Sequence, residues 1–257
     1  MFTPFEELDA VLADLTGSVR DILGDTYVGT YLQGSFALGA GDINSDCDFI
    51  IATTVPPSGS VEAQLRLLHH EIPTRTGFWT QHLEGSYADI TSLRGVDGLG
   101  VRWLFCDHGH RELIWDTHCN TLHTRWILRH HGMVIAGPPI ASLVDEVPPG
   151  ALRDAMRVAL PNVIADIRTW ASFDVAWTQR YAVSTYCRVL YTLHTAQVAS
   201  KRGALEWALD NLDPKWRPLL TQVTQDRTLG WDPAEPPQPG SLEATYEFAA
   251  YAESFAR

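Results

Sequence analysis

Residues 46–54 read Asp-Cys-Asp-Phe-Ile-Ile-Ala-Thr-Thr: two carboxylates one residue apart, running straight into a nearly unbroken apolar stretch. Such a run predicts a strand covered on both faces. Side chains alternate along a strand, so Asp46 and Asp48 are expected on one face and Cys47 on the other. Like charges that close repel unless they splay into solvent or a cation lies between them. The chain must therefore build a sheet with cover on both sides and carry an acidic pair at the start of a buried strand.

What precedes the pair sharpens its chemistry. Residues 26–33 (TYVGTYLQ) are rich in β-formers and predict a strand that ends at Gly34-Ser35, where a short helix opens. A strand-to-helix turn of this kind offers backbone N–H groups and a hydroxyl to an anion. Rigidly paired carboxylates suit Mg²⁺ when a nucleotide's phosphates supply the remaining ligands. A phosphate cradle followed by a metal clamp implies phosphoryl or nucleotidyl transfer. Taken singly, a D-x-D or a Gly-Ser step is common on solvated strand ends; the order and spacing carry the signal.

Around this centre the pattern predicts a small α/β unit. Thr3-Pro4-Phe5-Glu6 reads as a capping box with proline at the first helical position, and Phe5, Leu8, Leu12, Leu15, Val19 and Ile22 recur at helical spacing. Val61, Leu65, Leu68 and Ile72 form a second helical stripe, and residues 79–90 predict a third strand. Residues 91–118 read as loop. Residues 120–132 predict a helix stopped by Gly132, and the proline-rich stretch 136–150 marks a boundary. Beyond it the periodicity is helical: Leu152, Met156, Leu160, Val163, Ile167 and Trp170, then 181–199, 204–212 and a last piece from Leu242. The expected architecture is α+β, an α/β half followed by an all-helical half.

Composition excludes more than it assigns. Nineteen basic residues against 31 acidic ones leave a net charge of −12, which argues against nucleic acid as a partner and suits a cationic small molecule. The N-terminus has neither a basic region nor an apolar run, so no signal peptide is expected, and no stretch is apolar for long enough to span a membrane. Four scattered cysteines without a CxxC pair predict free thiols and a cytoplasmic protein. Six histidines crowd residues 108–131 at spacings that fit no structural zinc pattern. The nine tryptophans are expected mostly in the core.

Gly34-Ser35, ten intervening residues, then Asp46-x-Asp48 and an apolar run resemble the signature of the polymerase-β-like nucleotidyltransferase superfamily. Within it the chain resembles the aminoglycoside nucleotidyltransferases that adenylylate streptomycin and spectinomycin. HTRWILRHHGMVIAGPP (123–139) is similar to the segment joining their two domains, and SKRGALEWALDNL (200–212) to their lysine-bearing helix start. The resemblance implies a catalytic nucleotidyltransferase domain over 1–147 and a helical substrate- and nucleotide-binding domain over 148–257. It implies transfer of AMP from ATP, with two Mg²⁺ ions, to a hydroxyl of an aminoglycoside or aminocyclitol antibiotic, conferring resistance. Asp46 and Asp48 would hold metal. Gly34, Ser35, Lys201 and Arg202 would hold the nucleotide.

That family carries a third carboxylate on the strand after the D-x-D, as metal ligand or as base toward the acceptor. Glu84 and Asp89 both lie on the predicted strand, and five residues of separation put them on opposite faces. Resemblance through LEGS (83–86) selects Glu84, with Asp89 in reserve. Trp170 and Asp174 lie where streptomycin-accepting relatives carry a tryptophan and an aspartate, so Glu84, Trp170 and Asp174 are the acceptor-binding candidates. The alternative readings are an enzyme that modifies a protein, as in toxin–antitoxin nucleotidyltransferases, or another natural product, and a non-catalytic nucleotide-binding regulator.

Overall fold

Leu8, Leu12, Leu15 and Val19 recur every three or four residues and are all but fully buried, which makes α1 (Glu6–Leu23) a cover helix. The computed structural model describes residues 1–256, and the chain divides into two compact units, Met1–Val147 and Pro148–Arg257.

The first unit is built on six strands: β1 (Tyr27–Leu32), β2 (Cys47–Thr53), β3 (Leu83–Asp89), β4 (Trp103–Cys106), β5 (Leu113–Asp116) and β6 (Met133–Ala136). They lie in the order β5-β4-β3-β2-β1-β6. Only the central pair β2/β3 is parallel, because α3 (Gly59–Glu71) makes the crossover between them. One sheet face sends Leu32, Phe49, Ile51, Tyr87 and Leu104 into a core with α1 and α3 residues. The other sends Tyr31, Ile50, Ala88 and Phe105 against Leu128 of α5 (Leu122–His131) and Leu93 of α4 (Ile90–Arg94). Two layers of cover explain the apolar run Phe49–Ala52, every residue of which is fully buried.

The second unit is helical: α6 (Pro149–Ala159), α7 (Val163–Arg168), α8 (Ala176–Thr195), α9 (Lys201–Asn211), α10 (Arg217–Asp226) and α11 (Ser241–Glu253). Its core gathers Leu160, Val183, Tyr186, Cys187, Leu190, Leu205 and Phe248. No helix among the described residues is long and apolar enough to cross a membrane.

Several local expectations are corrected. The capping box does not form: α1 has Phe5 at its N-cap without a side-chain cap, and the Thr3 amide and hydroxyl both donate to Asp9 instead. The Asp9 carboxylate is a stronger acceptor than a hydroxyl and sits in the first turn, where the helix dipole favours it. Residues 79–81 are a 3-10 turn, so β3 starts only at Leu83. Residues 91–118 are not loop throughout but hold β4 and β5, four residues each, too short to show an alternation. Asp46 falls one residue ahead of β2. Of the tryptophans, Trp170 and Trp231 are 55% and 42% exposed.

Candidate active site

β2 and β3 run side by side in a register that sets Asp48 directly against Glu84 and Thr53 against Asp89. Paired residues on neighbouring strands are about 4.8 Å apart and send their side chains to the same face. Asp48 and Glu84 therefore leave the same end of the sheet together. Behind them on that face come Ile50 and Ser86, then Ala52 and Ala88, so the carboxylates rest on a buried floor that is apolar except for the Ser86 hydroxyl.

Asp89 lies at the opposite end of β3 and has other work. Its Oδ1 accepts from the amides of Thr91 and Ser92 at 3.1 and 3.0 Å, and its Oδ2 accepts from the Ser92 hydroxyl, so it is the N-cap of α4. The Ser92 hydroxyl accepts in turn from Trp103 Nε1 at 2.8 Å.

The turn after β1 presses against Asp48. Gly34 has φ +63°, and a Cβ there would stand 1.9 Å from Asp48 Oδ2, so only glycine brings the backbone this close. The amide of Gln33 donates to the Asp48 carbonyl at 2.9 Å, locking turn and strand together. Ser35, the second residue of α2 (Gly34–Ala37), carries a buried hydroxyl that has no hydrogen-bond partner. A buried polar atom in that condition calls for a ligand or water. The glycine cradle and the orphaned hydroxyl fit a metal–phosphate group beside Asp48. Among the described residues no three His, Cys, Asp or Glu side chains converge to enclose a metal by themselves. A Mg²⁺ that takes one or two carboxylates and completes its shell with phosphates and water needs no such enclosure.

Two of the six clustered histidines stand on the acids, a role that their spacing in the sequence does not indicate. His108 pairs with Asp46, and His118 Nε2 lies 3.2 Å from Glu84 Oε1 while its ring stacks on Phe105. Hydrogen bonding to Asp46 raises the His108 imidazole above its ordinary pKa, with burial opposing; Glu84 does the same for His118. Both follow short strands that could not be read from the sequence, and their signal would have been histidine just beyond a strand end.

The other candidates lie in the second unit. Lys201 is the first residue of α9, whose N-cap Ser200 accepts from the Gly203 amide. Its Nζ lies 5.0 Å from the Tyr181 ring centre and 4.9 Å from that of Trp231. Arg202 instead pairs with Glu206 of its own helix at 2.8 Å, both well exposed. Trp170 stacks 6.0 Å from Trp177 and meets Tyr181 edge-on at 5.4 Å. Asp174 is exposed and bonded to Ser172.

Residues 142–251 match the family model described as aminoglycoside adenylyltransferase, C-terminal domain. A spectinomycin 9-adenylyltransferase of Campylobacter jejuni is 23% identical over 216 residues, 79% of this chain and 79% of its own length. An aminoglycoside (3'') (9) adenylyltransferase of Rhizobium radiobacter is 31% identical over 98 residues, covering 38% of this chain and 34% of the relative. Among solved structures, a spectinomycin adenyltransferase from Enterococcus faecialis, determined with ATP and spectinomycin, matches with a TM-score of 0.70 over 95% of this chain and 97% of that one, at 14% identity. The chain is therefore homologous, at low identity, to the aminoglycoside and spectinomycin adenylyltransferases of the nucleotidyltransferase superfamily.

Proposed function

We propose that this protein is a Mg²⁺-dependent nucleotidyltransferase that moves AMP from ATP to a hydroxyl of a cationic aminoglycoside or aminocyclitol. The observation that carries this reading is the pairing of Asp48 with Glu84 beside the Gly34-Ser35 turn. Asp46 and Asp48 would hold the metal, with Glu84 as a further ligand or as the base. When bound, the metal would supply positive charge against the phosphate oxygens as the α-phosphorus changes partners.

The rest is done by the chain. The Gly34-Ser35 turn receives a phosphate, Ser35 donating the hydroxyl that has no partner in the protein. Glu84 accepts the proton of the acceptor hydroxyl at a carboxylate oxygen, and that oxygen of the acceptor then bonds to the α-phosphorus while pyrophosphate leaves. Lys201 neutralises charge on the triphosphate. Trp170 and Asp174 contribute to acceptor binding, an indole face and a carboxylate both being suited to ammonium groups. The net charge of −12 favours a polycationic acceptor over an anionic one. In the cell this chemistry would inactivate the drug.

Mass spectrometry of an aminoglycoside and aminocyclitol panel, incubated with enzyme, Mg²⁺ and each NTP in turn, tests the reading. An acceptor gaining one nucleoside monophosphate, lost in Asp48→Asn, supports it. No adduct on any member of the panel with any NTP refutes the assigned acceptor class.

A further inference from the structure

Between α10 and α11 the chain runs from 227 to 240 with only a 3-10 turn at Arg227–Leu229, and four of its residues are proline. A segment with so little backbone ladder takes its position from side-chain contacts. Here an ion pair is a principal anchor. Arg180 of α8 grips Glu235 with both guanidinium nitrogens, Nη1 to Oε1 at 2.8 Å and Nη2 to Oε2 at 2.7 Å, and Nη2 also donates to the Gly230 carbonyl at 3.1 Å. The Ala176 amide donates to the Glu235 carbonyl at 3.3 Å. The Arg180 side chain is only 9% exposed, so its charge depends on that carboxylate.

The segment pinned in this way carries Trp231. Its indole lies 5.2 Å from Trp177 and 5.9 Å from Tyr181, and both of those sit on the Arg180 helix, four residues apart on one face. Trp231 and Tyr181 together flank the Lys201 ammonium. A lysine stem has large rotamer entropy, and an ammonium held over two rings has lost much of it.

We infer that Arg180 and Glu235 are positioning residues: they clamp Trp231 onto Lys201 and so fix the ammonium for the phosphate it receives. The clamp is a feature of the second unit on its own; its catalytic consequence rests on the role proposed for Lys201.

The chain contains only two lysines, Lys201 and Lys215. Lys215 lies over Trp216 and Tyr251, so it serves as an internal reference in the same setting. Acylation of the intact protein with an N-hydroxysuccinimide ester, read by peptide mass spectrometry, gives the ratio of Lys201 to Lys215 labelling without any assay of activity. Glu235→Gln and Trp231→Leu should each raise that ratio at least about threefold. An unchanged ratio in both overturns the clamp. General loosening raises labelling of both lysines together and leaves the ratio flat, so it counts against the inference.

Kinetics supply the second readout. Glu235→Gln should raise KM for ATP several-fold with kcat within about twofold, because ground-state phosphate binding is what is lost. On a Trp231→Leu background it should add nothing further, since both changes release the same lysine. Independent multiplication of the two effects would overturn it. If Lys201→Ala leaves KM for ATP unchanged, the phosphate role of Lys201 fails, while the labelling ratio still decides the clamp.

Discussion

Glu84 and Asp89 show how one strand gives two carboxylates different fates. Both were legible as acids on β3, and alternation put them on opposite faces. The register with β2 adds what alternation lacks: Glu84 stands beside Asp48, and Asp89 is used up capping α4. Glu84→Gln should lower kcat by about two to four orders of magnitude, the range for removing a general base, while Mg·ATP still binds through Asp46 and Asp48. Titration calorimetry beside steady-state rates checks this, and a kcat near wild type would remove Glu84 from the chemistry. A different residue contributes to the pH dependence of stability. His69 is 2% exposed, bonded to the Tyr87 hydroxyl at 2.8 Å, and burial lowers its pKa to about 4. Its unfolded value is near 6.5, so between pH 6.5 and 4 the unfolded chain binds a proton that the folded one refuses. The contribution of His69 to stability is therefore complete above about pH 6.5 and falls as pH drops through the window, by up to about 3 kcal/mol at ~1.4 kcal/mol per pH unit. Urea unfolding from pH 7 to pH 4 should show this loss, and His69→Gln should flatten it; an equal slope in the variant would assign the loss to other groups.

Short elements carry much of the site, and short elements are what periodicity cannot see. α1, α3, α5 and the long α8 announce themselves because a stripe repeated over several turns exceeds chance. β4 and β5 have four residues each, and β6 another four, too few for a period of two to separate from background. β4 and β5 lead directly into His108 and His118, so which of the clustered histidines would meet the acids could not be read from the local pattern. α4 is five residues long and owes its start to its cap. Asp89→Ala should cost about 1–2 kcal/mol, because the two amides and the Ser92 hydroxyl lose their acceptor. Activity per folded molecule should stay near wild type, since Asp89 lies five residues from Glu84. Thermal unfolding and active-site-normalised rates measure the two separately; a large loss in kcat without loss of stability would move Asp89 from the reserve into the catalytic role.

At the scale of the molecule, each of the two units has its own core, and the surface carries a net −12. If the acceptor is polycationic, its KM should rise several-fold as ionic strength goes from about 0.05 to about 0.3 M, while kcat changes little, because salt screens attraction between separated charges. A flat KM would mean that local contacts alone bind it. The sequence by itself determined the order of strands and helices around Gly34-Ser35 and Asp46-x-Asp48, the helical character of everything past the proline-rich stretch, and the acids from which a site could be built. These follow from local chemistry: side-chain period, turn residues, and apolar runs that must be covered. Only the tertiary structure decided that Asp48 lies beside Glu84, that His108 and His118 lie on the acids, that Arg180 pairs with Glu235, and that Trp231 and Tyr181 flank Lys201. Each of those contacts joins residues tens of positions apart, and strand register and helix packing that bring them together depend on the whole core, which no local pattern encodes.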